Sequence, residues 1–129
     1  MKRFIIALIL ATTLISSSAK AEFYKEDYNK AIATARAKDE TFVLLITASW
    51  CSPCQAQKRL IEQLEKDGKL PKKVHIAYVK YDSELAKKIK RGSSVPQLIR
   101  YEKVGDSWKK SVNIGYLNTQ KLMEFIKNG

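Results

Sequence analysis

An α/β domain is predicted, with a mixed sheet of about four strands flanked by helices on both faces. Three observations predict it. Stretches with apolar residues at helical spacing alternate with short apolar runs, a pattern met by parallel strands joined through crossovers. One run, Phe42-Val43-Leu44-Leu45-Ile46, is apolar at every position, as in a strand buried on both faces. The last two strand-like runs are separated only by a turn around Gly105-Asp106, which makes them a hairpin.

The 129-residue chain opens with Lys2 and Arg3, a twelve-residue apolar run from Phe4 to Ile15, and Ala19-Lys20-Ala21. A positive start, a short apolar run and an Ala-x-Ala ending are the three parts of a secretory signal peptide. A membrane anchor would need about 20 apolar residues, more than the run supplies. The expectation is a signal peptide over 1–21, cleaved after Ala21, and one small domain over 22–129. No stable membrane anchor then remains, and no cysteine near the cut offers a site for a lipid.

Tyr28, Ala31, Ile32 and Ala35 recur at helical spacing, so Lys25 to Lys38 reads as an amphipathic helix. The buried strand follows at Phe42. Past it, Ala56, Leu60, Ile61 and Leu64 form an apolar stripe opposite Lys58, Arg59, Glu62 and Glu65, a helix ending near Gly68. Val74 to Val79 reads as a strand and Glu84 to Arg91 as a short helix. Gln97 to Tyr101 and Trp108 to Gly115 form the hairpin, where Tyr101 and Trp108 read as packing residues. Leu117 to Lys127 closes the chain with a helix whose inner face carries Leu122, Phe125 and Ile126. The order is α-β-α-β-α-β-β-α.

Charge narrows the partners. The net charge is +11, and removal of three leader cations leaves about +8 on the domain. Lysines are scattered over predicted helices and loops, as on a solvated surface. Steering toward acidic partners or an anionic membrane surface is the sharper alternative. No arginine-rich stripe or aromatic-basic interleaving points to nucleic acid.

Between the buried strand and the next helix stands Trp50-Cys51-Ser52-Pro53-Cys54, with the only two cysteines of the chain. With Cys51 at a helix start, Cys54 lies one turn further in, within reach of a mixed disulfide on Cys51. Free N–H groups at a helix N-terminus stabilise a thiolate, lowering a cysteine pKa from about 8.5 toward about 7 or below. Pro53 suits the first turn, where a missing N–H costs nothing. A structural staple is the rival reading, yet a bridge across two residues closes too short a loop to constrain the unfolded chain much. A zinc site is another, but it needs four ligands and the chain adds one histidine, His75, which reads as an ordinary strand residue. No metal ligands are therefore assigned.

With these residues in view, the chain resembles the thioredoxin family over nearly all of its domain, from about Lys25 to Lys127. The resemblance rests on the Trp50–Cys54 motif, on Ser94-Val95-Pro96 before the penultimate strand, and on Gly115 ending the last strand. It implies a thioredoxin-like fold. Helix Tyr28–Lys38 leading straight into the strand looks like exported relatives that lack the family's usual first strand. It also implies that Cys51 is the attacking nucleophile and Cys54 the resolving thiol. Pro96 would be the family's cis-proline facing the dithiol, where residue statistics alone favour trans and a strand-start proline. Val95 would offer backbone hydrogen bonds to an extended substrate, and Trp50, Ser52, Pro53 and the Asn113–Tyr116 loop would border the groove. Two positions depart from the family. Leu45 stands where thioredoxins bury an aspartate six residues before the first cysteine, and Ser52 where glycine is usual.

The resulting expectation is an exported, periplasmic thiol–disulfide oxidoreductase acting on protein disulfides as a reductase or isomerase. It needs no cofactor beyond its own Cys51–Cys54 disulfide. The resemblance implies a membrane thiol transporter as electron donor, and a monomer is expected. The alternatives are a binding or chaperone module with an idle dithiol and a disulfide-donating oxidant. N-terminal sequencing of the exported protein should begin at Glu22; a protein starting at Met1 would refute the leader assignment.

Overall fold

The computed structural model describes residues 21–129. Residues 1–20 of the expected signal peptide lie outside the described residues. The elements run β1 (Glu22–Phe23), α1 (Tyr28–Lys38), β2 (Thr41–Thr47), α2 (Ser52–Lys66), β3 (Val74–Lys80), α3 (Glu84–Ile89), β4 (Gln97–Val104), β5 (Ser107–Ile114) and α4 (Thr119–Asn128). They build one five-stranded sheet in the order β1-β3-β2-β4-β5. β1, β3 and β2 are parallel, whereas β4 runs antiparallel to β2 and β5 antiparallel to β4. The mixed sheet follows expectation, and its strand count is one higher.

The added strand is β1, which pairs Glu22 with His75 and Phe23 with Ile76. A first strand is thus present, contrary to the reading that the chain lacks one. Two residues carry no periodicity, so β1 is defined by its partner rather than by its own pattern. His75 does more than an ordinary strand residue. Its ring is buried, with Nε2 2.8 Å from Glu40 Oε1 and Nδ1 3.1 Å from the Tyr24 hydroxyl. The Tyr24 hydroxyl also donates to Glu22, and that bond holds the Glu22 carboxyl below the ordinary carboxylate range. This buried tie joins the N-terminal segment to β3 and to the start of β2, at the sheet end opposite the dithiol.

β2 is the axis of the fold. Its residues from Phe42 to Thr47 are all buried, with β3 on one edge and β4 on the other. Alternation sends Val43 and Leu45 to one face, where they meet Ile61 and Leu64 of α2 and Leu122 and Ile126 of α4. Phe42, Leu44 and Ile46 face the other way, toward Ala31 and Ala35 of α1 and Ala86 of α3. The alanines let these two helices lie close to the sheet. In α2 the fully packed positions are Cys54, Gln57, Ile61 and Leu64, so the buried stripe includes a glutamine.

Local chemistry sets the boundaries. α1 starts at Tyr28 rather than Lys25, because Lys25 takes a left-handed conformation (φ 51°) and Asp27 caps the helix through the Lys30 N–H. The hairpin turn has two central residues, since Val104 pairs with Ser107. Gly105 supplies the positive φ (61°) required at the first central position of a type II′ turn. Tyr101 stacks on Phe42 (4.8 Å) and Trp108 packs 5.5 Å from the same ring, the packing role expected of both. Buried Arg100 donates from Nε to the Ile126 carbonyl (2.9 Å) and from Nη2 to the Lys127 carbonyl (2.7 Å). Its charge thus meets the negative end of α4, whose last carbonyls have no partner within the helix.

Leu45 lies at the centre of the α2/α4 face with no exposure. Truncating a leucine in such a site costs about 2–5 kcal/mol. Leu45→Ala should lower the unfolding free energy by that amount, read as a lower denaturant midpoint with the slope of the transition unchanged.

Candidate active site

β2 ends at Thr47, and a turn through Ala48-Ser49-Trp50 leads into α2. Two bonds close this turn: the Cys51 N–H donates to the Ala48 carbonyl (3.2 Å), and Gln55 Nε2 donates to the same oxygen (3.0 Å). Cys51 is the N-cap of α2, with extended backbone dihedrals (φ −104°, ψ 110°). Serine or aspartate usually fills that place with a side-chain oxygen. Here the acceptor is sulfur: the Cys54 N–H donates to Cys51 Sγ over 3.2 Å. Ser52 and Pro53 form the first two helical positions, both exposed, and the proline removes an N–H that has no partner there in any case.

Cys51 and Cys54 are joined by a disulfide, with Cα atoms 5.2 Å apart. They differ in access. Cys51 keeps 6 % exposure and Cys54 none. The half-buried Val95 and Tyr81 pack against the cluster of Ala48, Cys51 and Cys54. Cys51 Sγ lies 3.8 Å from the Val95 carbonyl oxygen, and the Val95–Pro96 peptide bond is cis. Trp50, 71 % exposed, meets Tyr81 edge-on at 5.9 Å.

The structure therefore gathers Trp50, Cys51, Ser52, Pro53, Cys54, Val95 and Pro96 at one end of the sheet. The Asn113–Tyr116 segment joins them. The Gly115 N–H donates to the Pro96 carbonyl (2.9 Å), and Asn113 Nδ2 donates to the Gly115 carbonyl (3.0 Å). Gly115 has φ 105°, a left-handed conformation costly for any residue with a side chain. Ile114 and Tyr116 on either side remain exposed.

Behind Trp50 lies a hollow of about 440 Å³ lined by Thr47, Lys58, Lys80, Tyr81 and Asp82 among others. The buried Thr47 hydroxyl has no hydrogen-bond partner among the described residues. Leu45 sits on the same face of β2, and in register beside it stands Tyr78 of β3. Burial pushes the Tyr78 phenol well above its ordinary pKa, and its bond to Glu62 (2.8 Å) adds to the rise. His75 stands at the opposite end of β3 from the dithiol and cannot join it as a ligand. Among the described residues no three His, Cys, Asp or Glu side chains gather as a metal site.

Sequence reasoning missed three members of the site. Tyr81 follows β3 and carries no motif of its own. Gln57 and Gln97, both fully buried, brace the loops that border the dithiol. Gln57 was detectable, lying three residues after Cys54 on the buried stripe of α2. Gln97 was hidden at the start of an apolar strand.

The fold and the site together define a disulfide-bearing α/β protein whose Cys51 caps a helix beside a cis-proline. The sequence model of the thioredoxin family matches residues 19–128, and the chain belongs to that family. Its Cys51–Cys54 pair is the equipment of a thiol–disulfide oxidoreductase. Similar solved structures include the thioredoxin of Trichomonas vaginalis (19 % identity, TM-score 0.60, 85 % of this chain and 97 % of that one). Thioredoxin O2 of Arabidopsis thaliana in its oxidised state is 23 % identical, with TM-score 0.57 over 84 % and 93 % of the two chains. The Schistosoma mansoni thioredoxin is 22 % identical, with TM-score 0.59 over 84 % and 94 %. At these identities the likeness is one of fold. No curated protein matches the chain by sequence.

Access and capping together predict asymmetric thiol reactivity. Limiting iodoacetamide added to the reduced protein should modify Cys51 well before Cys54, as read by peptide mass spectrometry. Equal modification of the two would contradict the geometry.

Proposed function

We propose that the protein is an exported thiol–disulfide oxidoreductase that reduces or isomerises disulfides of other proteins. The observation that carries this reading is the Cys54 N–H donating to Cys51 Sγ at the N-terminus of α2. A donor aimed at sulfur, reinforced by the positive end of the helix, favours negative charge on Cys51 over neutral thiol.

In the reduced state, Cys51 thiolate attacks one sulfur of a substrate disulfide. A Cys51–substrate bond forms, the substrate disulfide breaks, and the second substrate sulfur leaves as a thiolate. Cys54 then loses its proton and attacks Cys51 Sγ. The Cys51–Cys54 bond forms and the first substrate sulfur departs, so two electrons have passed to the substrate. Val95 presents backbone groups to an extended substrate segment beside the cis-proline. Trp50, Ser52 and Pro53 border that segment. With Leu45 in place of an acid, Cys54 gives its proton to water or to the departing substrate sulfur.

The redox group is the disulfide itself. Return to the dithiol requires two electrons from a dithiol on another protein, and a membrane thiol transporter is the donor class that fits an exported domain. The buried Leu45 also favours a second reading, a binding module with an idle dithiol. It predicts no turnover of model disulfides and partner binding that survives loss of both cysteines.

Cys51→Ser should abolish insulin reduction, and Cys54→Ser should accumulate a mixed disulfide with substrate. Full activity in Cys51→Ser would sink the nucleophile assignment. Equilibration in glutathione buffers gives the direction of use: a potential near about −270 mV places the couple with reductases, and one near about −120 mV with strong oxidants.

A further inference from the structure

We propose that Gln57 and Gln97 are positioning residues that hold the two walls of the substrate groove at fixed separation. The proposal rests on the oxidoreductase reading above and names the side chains that shape its site.

Both side chains are fully buried, and both spend their amides on the backbone of a loop rather than on a neighbouring side chain. Gln97 Oε1 accepts the Arg91 N–H (2.9 Å), while its Nε2 donates to the Arg91 carbonyl (2.7 Å) and the Ser94 carbonyl (2.8 Å). One amide thus closes the loop that runs into Val95 and Pro96. Gln57 Oε1 accepts the Leu117 N–H (2.7 Å), and its Nε2 donates to the Leu117 carbonyl (3.1 Å). That amide holds the segment just past Gly115 and Tyr116.

The anchors are placed to matter. Gln57 lies three residues after Cys54 on the same helix, so one wall is tied to the element that bears the reacting sulfurs. Gln97 directly follows Pro96 and begins β4, so the other wall is tied to the strand that carries the cis-proline. The Gly115 N–H to Pro96 carbonyl bond closes the frame between them.

Between Arg91 and Ser94 the one further side-chain tie among the described residues is Lys90 Nζ donating to the Gly92 carbonyl (3.0 Å). Arg91 to Ser94 are all exposed, outside any helix or strand, and Gly92 has φ 68°. A buried amide is unfavourable unless its hydrogen bonds are made, and an apolar side chain of equal length would fill the same space. What glutamine adds is therefore directed hydrogen bonding. Ordering a wall in advance removes a conformational cost from each binding event. The effect falls on binding of an extended protein segment. A small disulfide occupies less of the groove and should feel it less.

The test uses the full-length protein with Gln57→Met and Gln97→Met, and Gln120→Met on the exposed face of α4 as control. Insulin and a small aromatic disulfide serve as substrates, with dithiothreitol as reductant. Each buried variant should raise KM for insulin about three- to ten-fold, the range implied by ordering one rotamer-rich side chain on binding, with kcat within about two-fold. The rise should be smaller for the aromatic disulfide, and the redox potential should stay unchanged. Hydrogen exchange should quicken selectively at the Arg91 amide in Gln97→Met and at the Leu117 amide in Gln57→Met.

An unchanged KM, or equal losses for both substrates with a shifted potential, would overturn the positioning role. If a variant does not fold, the unsubstituted protein still decides: Arg91 and Leu117 amides that exchange as fast as open loop amides refute the clamps. Unsubstituted protein that reduces neither substrate would overturn the oxidoreductase reading and with it the substrate role of the clamps. That failure is distinct because it is seen before any substitution is made.

Discussion

The whole site depends on the burial of β2 along both faces and both edges. A strand so placed cannot leave backbone groups unpaired, so β3 and β4 must lie against it, and its side chains must alternate between two helix layers. Its far end is then fixed in space to the accuracy of the core. The turn after Thr47 delivers Cys51 to one location, where the first free N–H groups of α2 meet its sulfur. A loop of the same sequence on a mobile surface would carry two thiols but no defined thiolate.

Capping by sulfur links folding to chemistry in one contact. The N-terminal N–H groups of any helix need acceptors, and here one acceptor is also the group that must bear charge during reaction. The same device explains the inequality of the two cysteines. Cys51 occupies the cap and keeps a small exposed edge, whereas Cys54 enters the helix and has none. The proposed nucleophile and resolver are thus separated by a single helical turn.

Buried polar groups in this protein act mainly as ties rather than as proton carriers. His75 binds the N-terminal strand to the sheet, Arg100 caps α4, and Gln57 and Gln97 brace loops around the dithiol. Each reaches beyond its own element, and each satisfies backbone or carboxylate groups that would otherwise be stranded. Leu45 fits the same economy. The position six residues before Cys51 is given to packing among Ile61, Leu64, Leu122 and Ile126.

By itself the sequence determined the central strand, the helix faces, a hairpin turn around Gly105-Asp106 and the dithiol at a strand-to-helix junction. These follow from periodicity and turn chemistry, which act between residues close in the chain. The Ser94-Val95-Pro96 segment was legible only through likeness to a family, because nothing local places it beside Cys51. Tertiary structure alone decided the two-residue β1, the burial of His75 and Arg100, and the partners of Gln57 and Gln97. The glutamines show the reason most plainly. A polar side chain reads as surface until the backbone it satisfies is known, and that backbone lies 60 residues away for Gln57. Pairings of that kind are set by the packing of the sheet and helices, which no window along the chain contains.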